Sequence, residues 1–211
     1  MTVSSSEPTS SPERGRLIVS SSSSTPESTS PTPLRVAFIG KAGTGKTTHA
    51  QLLRARFKGD VLSFASPLKK LTAELFEDRM LDPQFARTAN QEVGVLARRL
   101  AGADIWVNKL VAKVSRTRNC FVDDCRFMSE YYALKRLGFV LIKLVADERE
   151  LMRRRPSMTH DQWNHETERD SMFIYADALF LTDGTDGKSK QDVHTEMVEF
   201  LKEFLKDFRK S

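Results

Sequence analysis

The stretch Gly40-Lys41-Ala42-Gly43-Thr44-Gly45-Lys46-Thr47 decides the fold. It matches the phosphate-binding loop pattern G-x-x-x-x-G-K-[ST], which requires a strand before it and a helix after it. Residues 34–39 (LRVAFI) predict a short buried strand, and residues 48–57 place apolar side chains along one face of a helix. Strand, loop and helix therefore follow in the order that the motif needs. A glycine-rich turn that matches by chance is the less favoured alternative.

The loop predicts a binding site for a nucleoside triphosphate with Mg²⁺. Its glycines let successive backbone N–H groups turn inward around a phosphate, and the positive end of the helix dipole adds to their attraction. Lys46 is expected to reach the β- and γ-phosphates, and the Thr47 hydroxyl to ligate Mg²⁺. The residues predicted to bind this cofactor are Gly40, Lys41, Ala42, Gly43, Thr44, Gly45, Lys46, Thr47 and Thr48.

The remainder of the chain predicts one α/β domain with a tail. Residues 1–33 are rich in Ser, Thr and Pro, which predicts a disordered tail, with an organelle transit peptide as the alternative. Residues 34–211 are the predicted P-loop domain. The net charge of +5 and the pI near 9.3 fit an anionic partner without choosing between a nucleotide and a nucleic acid. No apolar run approaches the ~20 residues that cross a bilayer, so we expect a cytoplasmic protein that binds no membrane.

Further strands are predicted at residues 60–64, 119–124, 139–145 and 177–182, alternating with helices. Together with the loop they predict a three-layer P-loop NTPase fold. It has a five-stranded parallel sheet with helices on both faces, helical insertions that bind an acceptor, and a lid near residues 150–170. The predicted N-caps of the helices are Ser66, Thr88, Ser129, Asp147 and Ser189.

Cys120 and Cys125 are the only cysteines. Their odd spacing in one strand predicts side chains on opposite faces, which disfavours a disulfide between them. They are interpreted as reduced packing residues. A zinc site formed by these cysteines, or by His160 and His165, has unfavourable spacing.

Asp123 and Asp124 close the strand that these cysteines flank. An acidic residue at this place commonly orients Mg²⁺ or its water. Adjacent strand residues face opposite ways, so only one carboxylate is expected to meet the nucleotide. Asp124 is the predicted metal ligand.

Several basic side chains follow the predicted strands. Lys69 or Lys70 is placed to help bind a second anion, with a solvated helix face as the alternative. Arg98 and Arg99 are adjacent, so only one can face the cleft. A cluster after the fourth strand would neutralise charge on a moving phosphoryl group, or else form a solvated helix end: Arg153, Arg154 and Arg155.

From about residue 35 to residue 185 the chain resembles the deoxynucleoside monophosphate kinases of bacteriophages and large DNA viruses, within the P-loop nucleotide kinase group. Beyond the loop, residues 64–69 (FASPLK) are similar to the F-A-x-P-L-K segment of that family, and residues 124–130 (DCRFMSE) to its D-x-R-F-x-x-E segment. The other similar segments are Gln91-x-x-Gly94 followed by Arg98 or Arg99 and Trp106-Val107, the lid element HETE at 165–168, and Asp177 with DGT at 183–185. Thr167 and Asp183 depart from the serine and asparagine usual there.

The resemblance implies phosphoryl transfer from ATP·Mg²⁺ to a deoxynucleoside monophosphate. It implies a catalytic role for Lys46, Arg126 and Asp124, with Arg153, Arg154, Arg155 and Arg169 in a mobile lid. The residues implied to bind the acceptor nucleotide are Ser66, Lys69, Gln91, Arg98, Trp106, Arg126, His165 and Glu168.

Two other functions stay open at this point. A P-loop kinase of another small phosphorylated metabolite would share the loop, because the acceptor is chosen by pocket shape. A nucleic-acid-binding NTPase is less favoured, since no basic stripe interleaved with aromatic residues is present. A catalytically inactive scaffold is disfavoured by the intact Lys46 and Thr47. The accepted base, the selectivity between deoxy- and ribonucleotides, and the oligomeric state, with a homodimer among the options, are not predicted.

Overall fold

The structure, a computed structural model, describes residues 32–165 and 170–208. Residues 1–31 of the predicted tail lie outside these ranges. Thr167, Glu168 and Arg169 of the predicted lid lie outside them as well. The description below concerns the unit that begins at Thr32.

Five parallel strands form the centre of the domain. They are β1 (Arg35–Ile39), β2 (Asp60–Leu62), β3 (Cys120–Cys125), β4 (Val140–Val145) and β5 (Ala178–Leu181). Their order across the sheet is β2-β3-β1-β4-β5, and every neighbouring pair is parallel. From β1 the chain crosses to the edge strand β2, returns to β3 beside β1, and then crosses to β4 and β5 on the other side. A crevice therefore opens at the carboxyl end of β1. The predicted five-stranded parallel α/β fold is confirmed.

Eight helices connect and cover these strands in the described part of the chain. They are α1 (Lys46–Phe57), α2 (Ser66–Phe76), α3 (Pro83–Ala101), α4 (Ile105–Val111), α5 (Met128–Arg136), α6 (Glu148–Arg154), α7 (His160–Asn164) and α8 (Lys190–Phe208). Short 3₁₀ helices occur at Glu77–Leu81 and Asp170–Phe173. Among the described residues, no helix combines the length and the apolar character that a membrane span requires.

The three central strands β1, β3 and β4 are largely buried on both faces, as their apolar character predicts. Alternate side chains of β1 belong to different cores, because successive residues of a strand point to opposite sides. One core joins Val36 and Phe38 to α1 and α8 through Ala50, Leu53, Met197 and Leu201. The other joins Ala37 and Ile39 to α4 and α5 through Trp106, Leu110, Ala133 and Leu134. Two helical layers therefore enclose the sheet and hold the end of β1 rigidly.

A bulge interrupts β3 beside the crevice. Ala37 pairs with Val122 but Ile39 pairs with Cys125, so one strand has an extra residue at this point. The extra residue reverses the alternation, and Cys120 and Cys125 both lie in the same core. The prediction that they face opposite sides was therefore wrong, whereas the prediction that they are free is confirmed. Bulges of this kind re-aim side chains next to functional sites.

Two predicted helix starts differ from the structure. Asp82 caps α3, since its Oδ1 accepts a hydrogen bond of 2.9 Å from the backbone N–H of Gln84. Thr88 therefore lies inside α3, and the predicted capping box there was wrong. Likewise α5 begins at Met128, before the predicted cap at Ser129. An aspartate followed by a proline at the first helical position explains the early start of α3.

The starts of the two helices after β4 and β5 agree with prediction. Asp147 accepts from the N–H of Arg149 at 2.9 Å and caps α6. The Ser189 hydroxyl accepts from the N–H of Asp192 at 3.2 Å before α8. Ser66 instead is the first residue of α2, with Ala65 as its N-cap and no side-chain cap.

Candidate functional site

A cleft with a volume of about 570 Å³ opens at the carboxyl ends of β1 and β3. We call one side the loop half; its residues are Ala42, Gly43, Gly45, Lys46, Thr47, Thr48, Arg154 and Arg155. We call the other side the helical half; its residues are Ser63, Phe64, Ala65, Leu68, Lys69, Arg87, Asn90, Gln91, Gly94, Arg98, Trp106, Arg126, Phe127 and Glu130. Asp123 and Asp124 lie between the two halves.

The loop half takes its shape from glycine. Gly45 adopts a left-handed conformation, with φ of +91°, at the start of α1. At Gly40 a Cβ would collide with the carbonyl oxygen of Leu144 in β4. The loop can therefore pass close to the sheet and turn directly into α1 only with glycine at these two positions.

The ammonium group of Lys46 is held by the loop that it follows. Its Nζ donates to the carbonyl oxygens of Gly40 at 2.6 Å and Lys41 at 2.8 Å, and the side chain is buried. These bonds keep a positive charge folded against the loop, beside the N-terminus of α1. An anion bound there would meet both the charge and the helix dipole.

Three predicted cofactor-binding residues do not line the cleft. Gly40, Lys41 and Thr44 line a smaller cavity of about 210 Å³ between the loop and the end of β4. The Lys41 ammonium pairs there with the carboxylate of Glu148 at 3.2 Å. For these residues, contact with a cofactor stays a prediction.

The two carboxylates at the end of β3 have different partners. The Thr47 hydroxyl donates to Oδ2 of Asp123 at 2.7 Å. Burial, followed by the nearby charge of Asp124, raises the pKa of Asp123 above its usual range. A bound cation would relieve this cost, because it favours the ionised carboxylate. Thr47 and Asp123 together therefore form a hydroxyl–carboxylate pair that fits Mg²⁺.

Asp124 was the predicted metal ligand, but in the structure its carboxylate has other partners, and a metal-binding role for it stays a prediction. Its carboxylate accepts from the Ser63 hydroxyl at 2.6 Å and from the backbone N–H groups of Phe64 and Ala65, both at 2.9 Å. These bonds use both oxygens to fix the turn between β2 and α2. Strand alternation accounts for the difference, since Asp123 follows Phe121 by two residues on the face that α1 covers, and Asp124 follows Val122 by two residues on the other face.

No group of three or more His, Cys, Asp and Glu side chains able to hold a metal occurs in residues 32–165 and 170–208. A cation bound by Thr47 and Asp123 would need its other ligands from phosphate oxygens and water. Mg²⁺ commonly binds in this way, through one or two protein groups together with substrate phosphates. The site therefore fits a metal that arrives with a nucleotide.

In the helical half, α3 aims one of its two adjacent arginines at the cleft. The guanidinium of Arg98 stacks on the ring of Phe127, 3.9 Å from its centroid, and its Nη2 lies 3.3 Å from Oε1 of Glu130. Arg99 is exposed. The helical rotation of about 100° per residue thus settles which of the pair can reach a ligand.

Glu130 organises the start of α5 below Arg98. Its Oε2 accepts from the backbone N–H groups of Arg126 at 2.8 Å and Phe127 at 3.2 Å. Its side chain is almost completely buried. Burial, with a smaller effect of the Asp124 charge, raises the pKa of Glu130 to about 7. The sequence shows this glutamate only as the last residue of its DCRFMSE segment, and its role there was not predicted.

Gln91 presents a polar group to the cleft. Its Nε2 is buried and, within the described part of the chain, has no hydrogen-bond partner. A buried donor left in this state costs free energy that a ligand would recover. Arg87 lies one helical turn earlier on the same face and also lines the cleft, although the sequence analysis did not select it. Its i, i+4 spacing from Gln91 was the available signal.

Other predicted acceptor residues divide between the cleft and elsewhere. Lys69 and Trp106 line the cleft, and the indole N–H of Trp106 donates to the Gly94 carbonyl at 3.4 Å. Ser66 is exposed and does not line it, because the turn fixed by Asp124 presents Ser63 instead. His165 lies within the described ranges but does not line the cleft. Glu168 lies outside the described ranges.

The predicted arginine cluster points in three directions. Arg153 pairs with Glu150 on its own helix, Nε to Oε2 at 2.7 Å, and three-quarters of its side chain is exposed. It does not line the cleft, and a catalytic role for it stays a prediction. Arg154 donates to the carbonyl oxygens of Gly43 and Thr182, so it ties α6 to the loop and to the end of β5. Arg155 lines the cleft beside the loop.

Comparisons with known proteins show similarity in structure only. No protein-family model and no curated protein matches the sequence. The crystal structure of TT1252 from Thermus thermophilus has a TM-score of 0.50 at 18% identity and covers 82% of this chain and 98% of its own. Shikimate kinase from Acinetobacter baumannii in complex with shikimate has a TM-score of 0.47 at 13% identity, covering 81% and 94%.

The APS kinase of Mycobacterium tuberculosis in complex with AMPPNP and APS has a TM-score of 0.45 at 15% identity, covering 82% and 99%. At such identities a likeness shows the fold and nothing more about the chemistry. The glycine-rich loop, the sheet order and the likeness to TT1252 agree on one architecture. The chain has the three-layer P-loop NTPase fold that its sequence predicts.

Proposed function

We propose that this chain is an ATP-dependent phosphotransferase, and specifically a deoxynucleoside monophosphate kinase. The observation that carries the proposal is a single cleft that joins a phosphate-binding loop to a second, arginine-lined half. An NTPase that only hydrolyses ATP needs the first half alone. A second set of cations at the far side of the same cleft suits a second phosphorylated substrate.

The loop half would hold the donor. Backbone N–H groups of the loop, the N-terminus of α1 and the ammonium of Lys46 would bind the β- and γ-phosphates of ATP. Thr47 and Asp123 would hold Mg²⁺, which neutralises charge on the phosphates. The ties from Arg154 to Gly43 and Thr182 keep α6 beside the loop, where Arg155 can approach the transferring group.

The helical half would hold the acceptor. Arg98, Arg126 and Lys69 can bind its phosphate, and Gln91 can donate a hydrogen bond to its base. An acceptor phosphate oxygen then attacks the γ-phosphorus, and the bond from that phosphorus to the β–γ bridging oxygen breaks, leaving ADP and a diphosphate. The attacking oxygen is already a competent nucleophile, so alignment and charge neutralisation supply the catalysis.

A kinase of another small phosphorylated metabolite is the second candidate. The observation that favours it is the composition of the helical half, which has four cationic side chains that recognise phosphate whatever it is attached to: Lys69, Arg87, Arg98 and Arg126. Gln91 and the aromatic residues Phe64, Trp106 and Phe127 favour a base over a sugar, because flat apolar surfaces suit a ring. The two candidates therefore differ in what fills the apolar part of this half.

The test is a transfer assay with γ-labelled ATP and Mg²⁺, in which each deoxy- and ribonucleoside monophosphate is offered in turn. The expected result is labelled diphosphate from at least one deoxynucleotide, and none from the Lys46→Ala variant. Transfer only to other phosphorylated metabolites would favour the second candidate. ATP hydrolysis stimulated by single-stranded DNA, without transfer to any small acceptor, would contradict both.

A further inference from the structure

Gln162 is a buried polar residue at the start of the short helix α7. Only 5% of it is exposed, which is unusual for a glutamine. Its Oε1 accepts from the backbone N–H of Thr159 at 3.4 Å, and its own N–H donates to the Thr159 hydroxyl at 3.3 Å. This reciprocal pair is a capping box, so the acceptor end of the side chain is used within α7.

The donor end of the same side chain reaches a different element. Its Nε2 donates to the Thr88 hydroxyl oxygen at 3.1 Å and to the Gln84 carbonyl oxygen at 3.4 Å, both on α3. These two residues are four apart, so they lie on one face of that helix. One amide therefore links α7 to the first turns of α3 while its other end caps α7.

The linked part of α3 is the part that carries the helical half of the cleft. Arg87 and Gln91 follow Gln84 and Thr88 by three residues each, which places them on the adjoining strip of the helix. Both line the cleft. The chain leading into α7 comes from α6, whose Arg154 is tied to the loop half. The segment from α6 to α7 is thus bonded at one end to the loop half and at the other to α3.

We propose that Gln162 is a positioning residue for the acceptor. Its amide fixes the first turns of α3, which carry Arg87 and Gln91. It fixes them relative to the segment that carries Arg154 and Arg155. This inference rests on the proposed function and deepens it. Loss of the link loosens acceptor binding and alignment but leaves ATP binding intact, because the loop and Lys46 hold the donor.

Gln162→Glu is the most informative change. A carboxylate keeps an oxygen for the N–H of Thr159, so α7 stays capped, but it has no donor for the carbonyl oxygen of Gln84. Thr88→Val removes one of the two acceptors on α3, the hydroxyl, and leaves the Gln84 carbonyl in place. Asn164→Ala is the matched control, since Asn164 is an exposed residue of the same helix whose amide bonds to His160.

The assay measures KM for ATP, KM for the best deoxynucleotide found in the panel, and the fraction of ATP lost to water in each turnover. With Gln162→Glu the acceptor KM should rise about tenfold and with Thr88→Val about threefold, as expected for one or two lost hydrogen bonds. The KM for ATP should stay within about twofold, and the double variant should be no worse than Gln162→Glu. The hydrolysed fraction should increase, because a misaligned acceptor competes less well with water.

Two results would overturn the proposal. One is an unchanged acceptor KM and hydrolysed fraction in both variants; the other is equal loss for ATP and acceptor, which indicates a general structural role. Amide hydrogen exchange of residues 84–91 supplies a readout without substrate and should be faster in Gln162→Glu than in wild type or Asn164→Ala. Wild-type protein that transfers a phosphoryl group to no acceptor would contradict the proposed function. Amide hydrogen exchange would still show whether Gln162 restrains α3. Unchanged exchange would refute that restraint.

Discussion

The two halves of the cleft are built in different ways. The loop half comes almost entirely from one run of residues, and its ligand-binding groups are backbone N–H donors with the single ammonium of Lys46. The helical half gathers side chains from α2, α3, α4 and the segment after β3, spread over residues 63–130. The first is therefore fixed by local conformation, whereas the second depends on tertiary packing.

The halves also differ in how they carry charge. The hydrogen bonds of Lys46 to the loop are accepted by the neutral carbonyl groups of Gly40 and Lys41. Arg98 is paired with the buried carboxylate of Glu130, so part of its charge is already compensated. We expect changes in the loop half to affect the chemical step and changes in the helical half to affect acceptor binding.

The largest effect is expected from Lys46→Ala. Removal of a preorganised charge from a site where charge develops typically lowers kcat by about 10²- to 10³-fold. Lys41→Ala is the matched control from the same loop; its ammonium pairs with Glu148, and its kcat should fall less than about threefold. An equally small loss in both variants would mean that the loop acts only through its backbone.

Substitutions of the adjacent carboxylates Asp123 and Asp124 should separate a metal-binding role from a structural role most clearly. Asp123→Asn should lower kcat by about 10²-fold and raise the Mg²⁺ concentration that activity requires. The reason is that the only carboxylate in contact with Thr47 in the described site loses its charge. Asp124→Asn should instead destabilise the protein by about 1–3 kcal/mol and raise the acceptor KM, since an amide cannot accept all three of its hydrogen bonds.

Magnesium titrations of activity, together with chemical denaturation of each variant, distinguish the two roles. A stronger metal dependence in Asp124→Asn than in Asp123→Asn would reverse the assignment made from the structure. It would restore the choice that the sequence favours.

A smaller effect is expected from Arg98→Ala, which should raise the acceptor KM about tenfold to a hundredfold with little change in the KM for ATP. The reason is the loss of a charge-assisted contact in the helical half. Arg99→Ala, next to it and exposed, should leave both constants within about twofold. A rise in the KM for ATP as large as that for the acceptor would show that the halves are not separate.

The smallest expected effect is a dependence of the free energy of unfolding on pH. The folded-state pKa of Glu130, about 7, lies above the usual value for a glutamate, so folding favours its protonated form. Its stabilising contribution is full below the unfolded-state pKa, near pH 4.5, and is lost as the pH rises through 7. The free energy of unfolding of wild type, relative to Glu130→Gln, should therefore decrease between pH 5 and pH 8, by on the order of 1 kcal/mol or more.

Urea denaturation of the two proteins at several pH values measures this difference, and the Gln variant cancels the contributions of other groups. A difference that increases with pH would show that ion pairing with Arg98 outweighs the burial of the carboxylate. In that case the helical half would hold Glu130 as a stable anion.

The contrast between the halves explains what the sequence could predict. The loop, β1 and α1 are contiguous, and their pattern predicted them closely because local conformation determines them. The choice between Asp123 and Asp124 depends on which face of β3 is covered by α1, and tertiary packing decides that. The start of α3 was misplaced because Thr88-Ala89-Asn90-Gln91 also satisfies a capping pattern, although Thr88 is used by Gln162 from a distant element.

The arginines show the same limit. Adjacency predicted that only one of Arg98 and Arg99 could face inward, but the stacking on Phe127 that selects Arg98 joins α3 to the segment after β3. In the cluster on α6, Arg153 and Arg154 share Glu150, yet only Arg154 reaches the loop. Residue type and spacing indicated the chemistry, and packing decided which side chain performs it.

The central claim is that one cleft binds a donor and an acceptor together. The most direct measurement is calorimetric binding, in the presence of Mg²⁺, of adenosine joined through five phosphates to each of the four deoxynucleosides. At least one of these compounds should bind about 10²-fold or more tightly than ATP, because it occupies both halves at once. Arg98→Ala and Lys46→Ala should each weaken it. Binding no tighter than ATP for all four, and unaffected by Arg98→Ala, would contradict the account.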